Sequence, residues 1–294
     1  MRILITGGNG YLGTRVVKEI VKKGHTAVLL ILKGTSIEMF KDLPNIEIYY
    51  TDSIDIERAF TTNIDCVLHL ATLYGRKGES ARKVLEANLI FPLQVLENAI
   101  KSGVKYFFNI DTAINRLVNE YALSKKQFRD WGEYYVTQEN IRFINIKTEH
   151  FYGPFDNDVK FIANMLKKLR EKMPYIETTL GEQERAFIYI DDLLEAIQCI
   201  INYETKQTEL EFIEYEVGPD ENIKIKDVLN IMKKLTNSTS EIRFGAIPYR
   251  KNEEMKSEND NRKLKQIGWK QKTLTFEEGI KKILEEEKKS ENIN

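Results

Sequence analysis

The sequence lacks the features that mark secreted, membrane-spanning and nucleic-acid-binding proteins. Its 294 residues contain two cysteines, whose spacing matches no metal site, so Cys66 and Cys199 are expected to be buried free thiols. No apolar run reaches the roughly 18 residues of a membrane span, and a net charge of −1 favours neither nucleic acid nor an anionic membrane as partner. The amino terminus leads directly into an apolar strand. This apolar segment is too short for a signal peptide, so we predict a cytoplasmic protein.

The order of the apolar segments predicts an α/β fold. Short apolar runs alternate with amphipathic stretches over the first two-thirds of the chain, beginning with the strand RILIT and a helix from Tyr11 that closes at Gly24. A long helix is expected over about residues 80–102, and the helix after VKYFFNID is expected to run to about Tyr135. Strands that alternate with helices form right-handed βαβ units, so we predict a doubly wound parallel sheet covered on both faces.

A glycine-rich segment, ITGGNGYLG, connects the first strand with the first helix. Gly8, Gly10 and Gly13 match G-x-G-x-x-G, and Gly7, Gly10 and Gly13 match the wider G-x-x-G-x-x-G. Glycines at these positions permit a tight turn, close approach of the backbone to a pyrophosphate, and close packing of helix on strand. With a strand before it and a helix after it, the segment predicts a dinucleotide-binding Rossmann domain.

The second strand lacks the acid with which NAD sites usually hold the ribose 2′-hydroxyl, about 20 residues beyond the glycines. Residues 31–36 read ILKGTS, and the next acid is Glu38. Lys33, with hydroxyl groups nearby, suits a 2′-phosphate instead, and NADP(H) is therefore favoured over NAD(H). The alternative is that Lys33 is a solvated loop residue.

The segment NEYALSKKQF places Tyr121 four residues before Lys125 in a predicted helix. Residues at i and i+4 lie on one helix face, so the ammonium group could stabilise a phenolate during proton transfer. Roughly two such pairs of tyrosine and a basic residue are expected by chance, and Tyr11 with Arg15 forms another. The pair alone therefore does not indicate catalysis.

Taken together, these segments resemble the extended short-chain dehydrogenase/reductases that act on nucleotide sugars. The glycine segment, HLAT, Asn88, YALSK, FYGP and GEQERAFIYIDD follow in that family's order and spacing over nearly the whole chain. Within the family, NIDTAI, YALSKKQFRDWG and IPYRKNEEM are most similar to CDP-abequose and CDP-paratose synthases, which are reductases of a CDP-4-keto-6-deoxyhexose. The resemblance implies a CDP-linked nucleotide-sugar substrate and a role in sugar supply for surface polysaccharide such as the O-antigen.

The resemblance also implies a homodimer, formed by the helix of Tyr121 and the long helix before it. Phe128 and Trp131 could supply buried aromatic area in that contact, or they could belong to the ordinary core.

Two domains are predicted, because the composition changes after FYGP. Residues 1–154 plus about 181–204 would form the Rossmann domain, with RAFIYIDDLLEAIQCII as one return to its sheet. Residues from about 155 to 180 and from 205 to 294 are more charged and less regular, and would form the smaller nucleotide-sugar-binding domain.

Three catalytic residues are implied by the resemblance. Tyr121 would exchange a proton with the sugar oxygen, and Lys125 would stabilise the phenolate and bind the nicotinamide ribose. Thr112 would be the third, but only eight residues separate it from Tyr121, where the family generally has a much longer connection. Asp111 is therefore the alternative to Thr112, although it could instead cap or orient a loop.

The binding residues follow from the same resemblance. The cofactor would contact Thr6, Gly7, Gly10, Tyr11, Leu12, Gly13, Lys33, Asp52, Leu70, Ala71, Thr72, Asn88, Tyr121 and Lys125. The substrate would contact Thr112, His150, Arg185 and Arg250, with surface salt bridges as the alternative for the two arginines. Asp52 could equally be a helix cap, and His69 is expected to be structural because it lies inside an apolar strand. No metal site is expected.

Three activities share such a scaffold. Dehydratases of the family follow the catalytic Thr with Asp and Glu, whereas Ala113 and Ile114 follow Thr112 here, which argues against dehydration. Reductases release the cofactor in each cycle, whereas 4-epimerases retain NAD. The segments similar to CDP-abequose synthases, and the absence of an acid after the second strand, favour a reductase over an epimerase. A non-catalytic dinucleotide-binding protein is the alternative of another class, but such proteins tend to lose the tyrosine or the lysine.

Overall fold

A computed structural model describes residues 1–138 and 141–291 of the chain. Its strands are β1 (Arg2–Thr6), β2 (Thr26–Ile31), β3 (Ile46–Tyr50), β4 (Cys66–His69), β5 (Tyr106–Thr112), β6 (Arg142–Thr148), β7 (His150–Tyr152), β8 (Tyr175–Thr178), β9 (Glu184–Arg185), β10 (Phe187–Tyr189), β11 (Phe212–Val217), β12 (Ile223–Lys224) and β13 (Glu241–Phe244). Its helices are α1 (Tyr11–Lys22), α2 (Ser53–Phe60), α3 (Ala81–Leu85), α4 (Phe91–Lys101), α5 (Glu120–Gln138), α6 (Phe161–Arg170), α7 (Ile190–Glu204), α8 (Ile225–Leu235), α9 (Arg262–Gln266) and α10 (Phe276–Glu291).

Seven of the strands form one sheet in the order β11-β6-β5-β4-β1-β2-β3. The pairs β1–β2, β1–β4, β2–β3 and β4–β5 are parallel. The sheet contains the strand order 3-2-1-4-5-6 of dinucleotide-binding Rossmann domains, so the predicted doubly wound parallel sheet is confirmed. The carboxyl ends of three central strands lie level, because Thr6 is the register partner of His69, and His69 that of Asn109. Ligands of such sheets bind at this edge.

An aromatic group packs α5 closely against the sheet. Phe107 and Phe143 stack with their ring centroids 5.3 Å apart, and Phe128 meets both edge-on. A Cβ at Gly132 would lie 2.3 Å from the ring of Phe143, so glycine lets the helix approach β6. Phe128 is fully buried, and of the two aromatic residues considered for a subunit contact only Trp131 is exposed.

The long helix predicted over about residues 80–102 is present but is interrupted. A π-helical turn at Glu86–Ile90 joins α3 to α4. Such a turn inserts one extra residue into a helix and frequently occurs at functional sites. Asn88 lies within it and is fully buried, so the turn brings a predicted site residue into the interior.

The chain divides into two compact units, Met1–Lys147 with Gln198–Tyr215, and Thr148–Ile197 with Glu216–Asn294. Compared with the predicted domains, residues 148–154 and 181–197 belong to the second unit, and residues 205–215 belong to the first.

The predicted return of RAFIYIDDLLEAIQCII to the main sheet was wrong. Its strand, β10, pairs with β7 in a separate two-stranded sheet, and the seventh strand of the main sheet is β11. The segment of β11, FIEYEV, carries Glu214 and Glu216 at alternate positions. Charged residues are typical of the edge of a sheet, and they gave this segment an irregular appearance in the sequence.

The second unit contains short sheets and amphipathic helices. β9 pairs antiparallel with β12, and β8 pairs in parallel with β13. The rings of Tyr152, Phe187 and Phe276 pack together with centroids 5.0 to 6.2 Å apart. Asp192, at the start of α7, accepts a main-chain hydrogen bond from Lys272 at 2.6 Å. This contact fixes the segment that leads into α10.

Both cysteines are free thiols; Cys66 is buried as expected, whereas Cys199 is only partly buried. Among the helices of residues 1–138 and 141–291, none combines the length and the apolar character needed to cross a bilayer.

Candidate active site

The glycine segment forms a tight turn between β1 and α1. Gly7 has a φ of +67°, and a Cβ there would lie 2.7 Å from the main chain of Ala71, so this position requires glycine. A Cβ at Gly13 would lie 2.1 Å from the carbonyl oxygen of Gly7, to which Gly10 donates its N–H at 3.0 Å. Gly10 is the N-cap of α1, and a helix start whose N-cap has no side chain can present its N–H groups to a phosphate.

Tyr11 and Leu12 form the first turn of α1. Leu12 is buried, and the guanidinium carbon of Arg15 lies 4.0 Å from the centre of the Tyr11 ring. The second pair of a tyrosine and a basic residue is therefore a cation–π contact beside the glycine turn.

Thr6 organises the turn that follows β4. Its hydroxyl lies 2.7 Å from Nδ1 of His69 and accepts the main-chain N–H groups of Leu70 and Ala71, each at 3.2 Å. His69 is fully buried, and burial, followed by the charge of Lys125, lowers its pKa well below the ordinary value of 6.5. His69 is therefore neutral near pH 7, which is what a structural role requires.

Asn88 connects the segment after β4 with α5. Its Oδ1 accepts the N–H of Leu73 at 2.8 Å, and its Nδ2 donates to the Leu73 carbonyl at 2.9 Å and to Ser124 Oγ at 3.1 Å. Thr72 donates its hydroxyl to the same Oδ1 at 3.2 Å. Ser124 in turn donates to the carbonyl oxygen of Tyr121 at 2.8 Å. Asn88 thus holds the main chain beside the helix of the predicted catalytic pair.

Tyr121 and Thr112 meet at the carboxyl end of β5. The phenol of Tyr121 is buried, and the nearby side chain of Thr112 acts to lower its pKa. Burial, followed by the neighbouring Tyr74 and by the charge of Asp111, raises the pKa of this phenol well above 10. The phenol therefore carries its proton at neutral pH.

Lys125 lies one helical turn after Tyr121. It is buried, and its Nζ has no hydrogen-bond partner among the described residues. Burial lowers its pKa from 10.5 to about 8, against the charge of Asp111, which raises it. A buried ammonium without a partner is costly, and the ribose hydroxyls of a dinucleotide would be suitable partners. The residues present therefore fit a nicotinamide dinucleotide.

Asp111, the alternative to Thr112, is engaged with other groups. Its Oδ2 lies 3.0 Å from Nζ of Lys126 and 3.0 Å from Nδ2 of Asn145, and its Oδ1 accepts the N–H of Thr112 at 2.7 Å. Thr112 acts to lower the pKa of Tyr121, whereas the charge of Asp111 raises it, and the choice of Thr112 over Asp111 as the third catalytic residue stays a prediction.

Two residues beside Tyr121 were not predicted from the sequence. The ring of Tyr74 lies 4.8 Å from that of Tyr121, and the guanidinium carbon of Arg76 lies 5.0 Å from the centre of the Tyr74 ring. Burial is the largest influence on the pKa of Tyr121 and raises it, whereas the charge of Arg76 lowers it. The one available signal was position, since LYGR follows HLAT at the end of β4, where loops of parallel sheets carry sites.

The residues predicted to hold the adenosine end follow β2 and β3. Lys33 is exposed, beside Thr35, whose hydroxyl donates to the carbonyl of Leu32 at 2.7 Å. Asp52 is the N-cap of α2, because its carboxylate accepts the N–H of Asp55 at 2.9 Å. Neither arrangement prevents contact with a cofactor, and both cofactor roles stay predictions.

The other residues predicted to bind the substrate lie in the second unit. His150 is partly exposed in β7. Arg185, in β9, forms an ion pair with Glu253 at 2.5 Å. Arg250 is exposed, and its carbonyl oxygen accepts the N–H of Glu253 at 3.0 Å. The carboxylate of Glu253 thus pairs with Arg185, whereas Arg250 meets Glu253 through the main chain alone; Glu253 was not predicted from the sequence.

Comparison with known proteins assigns the chain to a family. The model of the NAD dependent epimerase/dehydratase family matches residues 3–218. The chain is 31% identical over 293 residues to a CDP-abequose synthase of Salmonella typhimurium, covering 96% of this chain and 97% of that protein. It is 25% identical over 310 residues to a dTDP-4-dehydro-6-deoxyglucose reductase of Escherichia coli, covering 96% of each.

A solved structure supports the fold. The UDP-glucose 4-epimerase of Thermotoga maritima with UDP-glucose matches with a TM-score of 0.85 at 22% identity, over 99% of both chains. At this identity the likeness concerns the fold alone. The family match and the relatives together establish that the chain belongs to the NAD-dependent epimerase/dehydratase family and is an enzyme of the extended short-chain dehydrogenase/reductase type.

Proposed function

We propose that this enzyme uses NADPH to reduce the C4 ketone of a CDP-linked 4-keto-6-deoxyhexose to the 4-hydroxy sugar. The observation that carries the proposal is the buried Tyr121, which lies beside Thr112 and one helical turn before the buried Lys125. Burial keeps the pKa of the phenol well above 10, so at neutral pH it holds a proton to give. Reduction of a ketone consumes a proton at the oxygen, and a protonated phenol suits that direction.

The residues of the chain provide the proton and the positioning. When bound, the nicotinamide cofactor supplies the hydride that C4 receives. Tyr121 gives its proton to the C4 oxygen, while the hydroxyl of Thr112 orients the phenol. As the proton leaves, the side chain of Thr112 and the charge of Arg76 favour the phenolate against the effect of burial, and the ammonium group of Lys125 would add to them. Solvent then restores the proton.

Several segments of the first unit would hold the cofactor. The glycine turn at the start of α1 would bind the pyrophosphate, and the segment 70–72 would line the nicotinamide end. Tyr121 and Lys125 would bind the nicotinamide ribose, which satisfies the buried ammonium. NADP(H) is proposed over NAD(H), because Lys33 follows β2 where NAD sites usually carry an acid.

The second unit would bind the nucleotide sugar. Arg185 and Arg250 would contact the diphosphate, since a planar guanidinium suits phosphate oxygens, and His150 would contact the substrate nearby. A CDP-linked substrate and a role in sugar supply for surface polysaccharide are supported by the similarity to the CDP-abequose synthase over nearly the whole chain. Reduction is supported by the similarity to the dTDP-4-dehydro-6-deoxyglucose reductase.

The test is the stoichiometry of cofactor oxidation by the purified enzyme with a CDP-4-keto-6-deoxyhexose in excess. We expect one NADPH oxidised for each sugar converted. A 4-epimerase with retained NAD would interconvert sugars without net oxidation of NADPH, and that result would reject the reductase. The same assay with UDP-, dTDP- and GDP-linked ketosugars would test the nucleotide base.

A homodimer in the cytoplasm is part of the proposal. Leu123, Trp131 and Tyr134 are exposed on α5, and Leu85 and Ile90 are exposed on the helical stretch before it. Exposed apolar side chains on two such helices suit a contact of four helices between two copies. The two free thiols are compatible with a reducing compartment.

A further inference from the structure

Beside the catalytic threonine lies an ion pair that the proposed reaction has not used. Lys126, which follows the catalytic lysine in the sequence, donates to Oδ2 of Asp111 at 3.0 Å. The side chain of Asp111 is completely buried, and that of Lys126 is 18% exposed. Removing two charges from water is costly, and an apolar pair of similar volume is often as stable. Stability alone therefore does not account for this pair.

The pair binds the main chain of Thr112 on both sides. Oδ1 of Asp111 accepts the N–H of Thr112 at 2.7 Å, and Nζ of Lys126 donates to the carbonyl oxygen of Thr112 at 2.5 Å. The hydroxyl of Thr112 accepts the N–H of Ile114 at 3.2 Å, and the side chain of Thr112 acts to lower the pKa of Tyr121. The ion pair thus fixes the backbone that carries this side chain beside Tyr121.

A second bridge holds the same helix three residues further along. Asn145 donates from Nδ2 to Asp111 at 3.0 Å and to Glu214 at 2.8 Å, and Glu214 binds Nε of Arg129 at 3.3 Å. Lys126 and Arg129 lie on one face of α5, because residues at i and i+3 are neighbours on a helix. The network therefore ties α5 to β5, β6 and β11 at two points beside the catalytic pair.

We propose that Asp111 and Lys126 are positioning residues of the reaction, whose ion pair fixes Thr112 against the catalytic helix and balances the charge beside Tyr121 and Lys125. The inference rests on the proposed function only for the roles of Thr112, Tyr121 and Lys125. Neither Asp111 nor Lys126 is given contact with the substrate or the cofactor.

The two members of the pair act on the catalytic groups with opposite signs. The titratable and charged groups that face Tyr121 and Lys125 are Asp111, Lys126, Arg76, Tyr74 and His69. Burial is the largest influence on the pKa of Lys125; Asp111 raises that pKa and Lys126 lowers it. Asp111 also raises the pKa of Tyr121, after burial and Tyr74. Loss of either partner therefore leaves one uncompensated charge beside the reacting groups.

The experiment compares Asp111→Asn, Lys126→Gln and the double variant. We expect kcat to fall roughly 10- to 100-fold in each single variant, because the ion pair that holds the main chain of Thr112 is lost, while the KM for the sugar changes little. Reduction requires protonated Tyr121 and Lys125, so kcat declines at alkaline pH. This decline should move about 0.5–1 unit to lower pH in Asp111→Asn and to higher pH in Lys126→Gln. In the double variant, which removes both charges, kcat should decline at a pH close to that of the wild type.

A second readout does not need the sugar. Because Lys125 would hold the ribose of the cofactor, the Kd for NADPH should weaken as pH rises through the pKa of Lys125. The affinity for NADPH should weaken at lower pH in Asp111→Asn and at higher pH in Lys126→Gln than in the wild type. A wild type that reduces no 4-ketosugar would reject the proposed function, while the Kd profile would still decide the role of the ion pair.

Two results would overturn the inference. One is a pH shift of the same sign in both single variants, or no shift in either. The other is an unchanged kcat in both single variants.

Lys126→Arg controls for loss of folding, because it keeps the charge and the hydrogen-bond donors. It should keep the wild-type pH profile and most of kcat. A pH profile like that of Lys126→Gln would count against the charge-balancing role.

Discussion

Nζ of Lys126 lies 3.0 Å from a carboxylate oxygen of Asp111, whereas Nζ of Lys125, the preceding residue, is buried without a hydrogen-bond partner in the described part of the chain. Folding therefore removes water from Lys125 with only the nearby charge of Asp111 as compensation, while Lys126 gains a hydrogen-bonded counter-ion. An unpartnered buried charge persists where function requires it. The same substitution should therefore raise the free energy of unfolding at Lys125 and lower it at Lys126.

Lys125→Met should stabilise the cofactor-free enzyme and remove most of its turnover. The pKa of Lys125 is lowered from 10.5 to about 8, so at pH 7 the buried ammonium costs roughly 3 kcal/mol of folding free energy. Between about pH 8 and 10.5 the unfolded chain binds more protons than the folded chain, so this cost declines as pH rises. In urea unfolding at pH 7 and at pH 9.5, Lys125→Met should increase the free energy of unfolding more at pH 7 than at pH 9.5.

Lys126→Met is the matched control on the same helix. It leaves the buried carboxylate of Asp111 without its counter-ion, which typically costs about 3–5 kcal/mol. Equal losses of stability in both variants would contradict the distinction between the two lysines.

Tyr121→Phe should bind the cofactor normally and lose roughly 10²- to 10⁴-fold in kcat, because the ring remains and only the proton donor is removed. Cofactor affinity can be followed by fluorescence and turnover by NADPH oxidation. Tyr134→Phe removes a phenol hydroxyl from an exposed position of the same helix and should leave kcat unchanged. Turnover near the wild-type level in Tyr121→Phe would refute the proposed path of the proton.

Most of the main sheet could be predicted because its determinants are local. The strands β1 to β6 are apolar runs bounded by turns, and the glycine turn needs only a strand before it and a helix after it. The placement of Tyr121 and Lys125 one turn apart on α5 also follows from helix geometry. A seventh strand with Glu214 and Glu216 at alternate positions lacks such a local signal, since its partner β6 lies far away in the sequence.

The surroundings of the proposed catalytic groups could not be predicted in this way. The ring of Tyr74 reaches Tyr121 across 47 positions of sequence, and Lys126 reaches Asp111 across 15. These contacts arise when β4, β5 and α5 come together, and no periodicity within one element indicates them. The π-helical turn that holds Asn88 is likewise compatible with an ordinary helical pattern.

The wild type should prefer NADPH to NADH, because Lys33 follows β2 in place of an acid. Lys33→Ala should weaken binding of NADPH by roughly 10-fold, the effect of one charge-assisted contact of about 1.5 kcal/mol, and should leave NADH unchanged. Initial rates with both cofactors give kcat/KM for each. Equal kcat/KM values for the two cofactors in the wild type would contradict a site for the 2′-phosphate.

The enzyme should have twice the mass of the chain in solution. Trp131 and Tyr134 are exposed, with their rings 5.7 Å apart in an edge-to-face contact, and Trp131→Glu would place a charge within the proposed contact. Light scattering at micromolar concentration should show a dimer for the wild type and a monomer for Trp131→Glu. Leu274→Glu, at an exposed apolar position of the second unit, is the control and should remain dimeric. A monomeric wild type would remove the dimer from the proposal.

Glu253→Gln should tighten the binding of CDP to the enzyme. The carboxylate of Glu253 lies 2.5 Å from the guanidinium group of Arg185, and both side chains are largely buried. If Arg185 binds the diphosphate, the ligand must displace or share this carboxylate, and its negative charge opposes the incoming one. Removal of the charge should lower the Kd for CDP roughly 3- to 10-fold, and Arg185→Gln should raise it by a similar or larger factor.

Net charge alone would also change the affinity for an anion, and Glu182→Gln controls for that effect. Glu182 is paired with Lys224 and Lys226, so its neutralisation changes the total charge equally without acting on the Arg185–Glu253 pair. Calorimetric titration with CDP at two salt concentrations separates the cases, because a general charge effect is screened by salt while displacement of a buried carboxylate is screened much less. If Glu253→Gln and Glu182→Gln changed the Kd equally, or if Arg185→Gln left it unchanged, Arg185 would not be the diphosphate ligand and its pair with Glu253 would be structural.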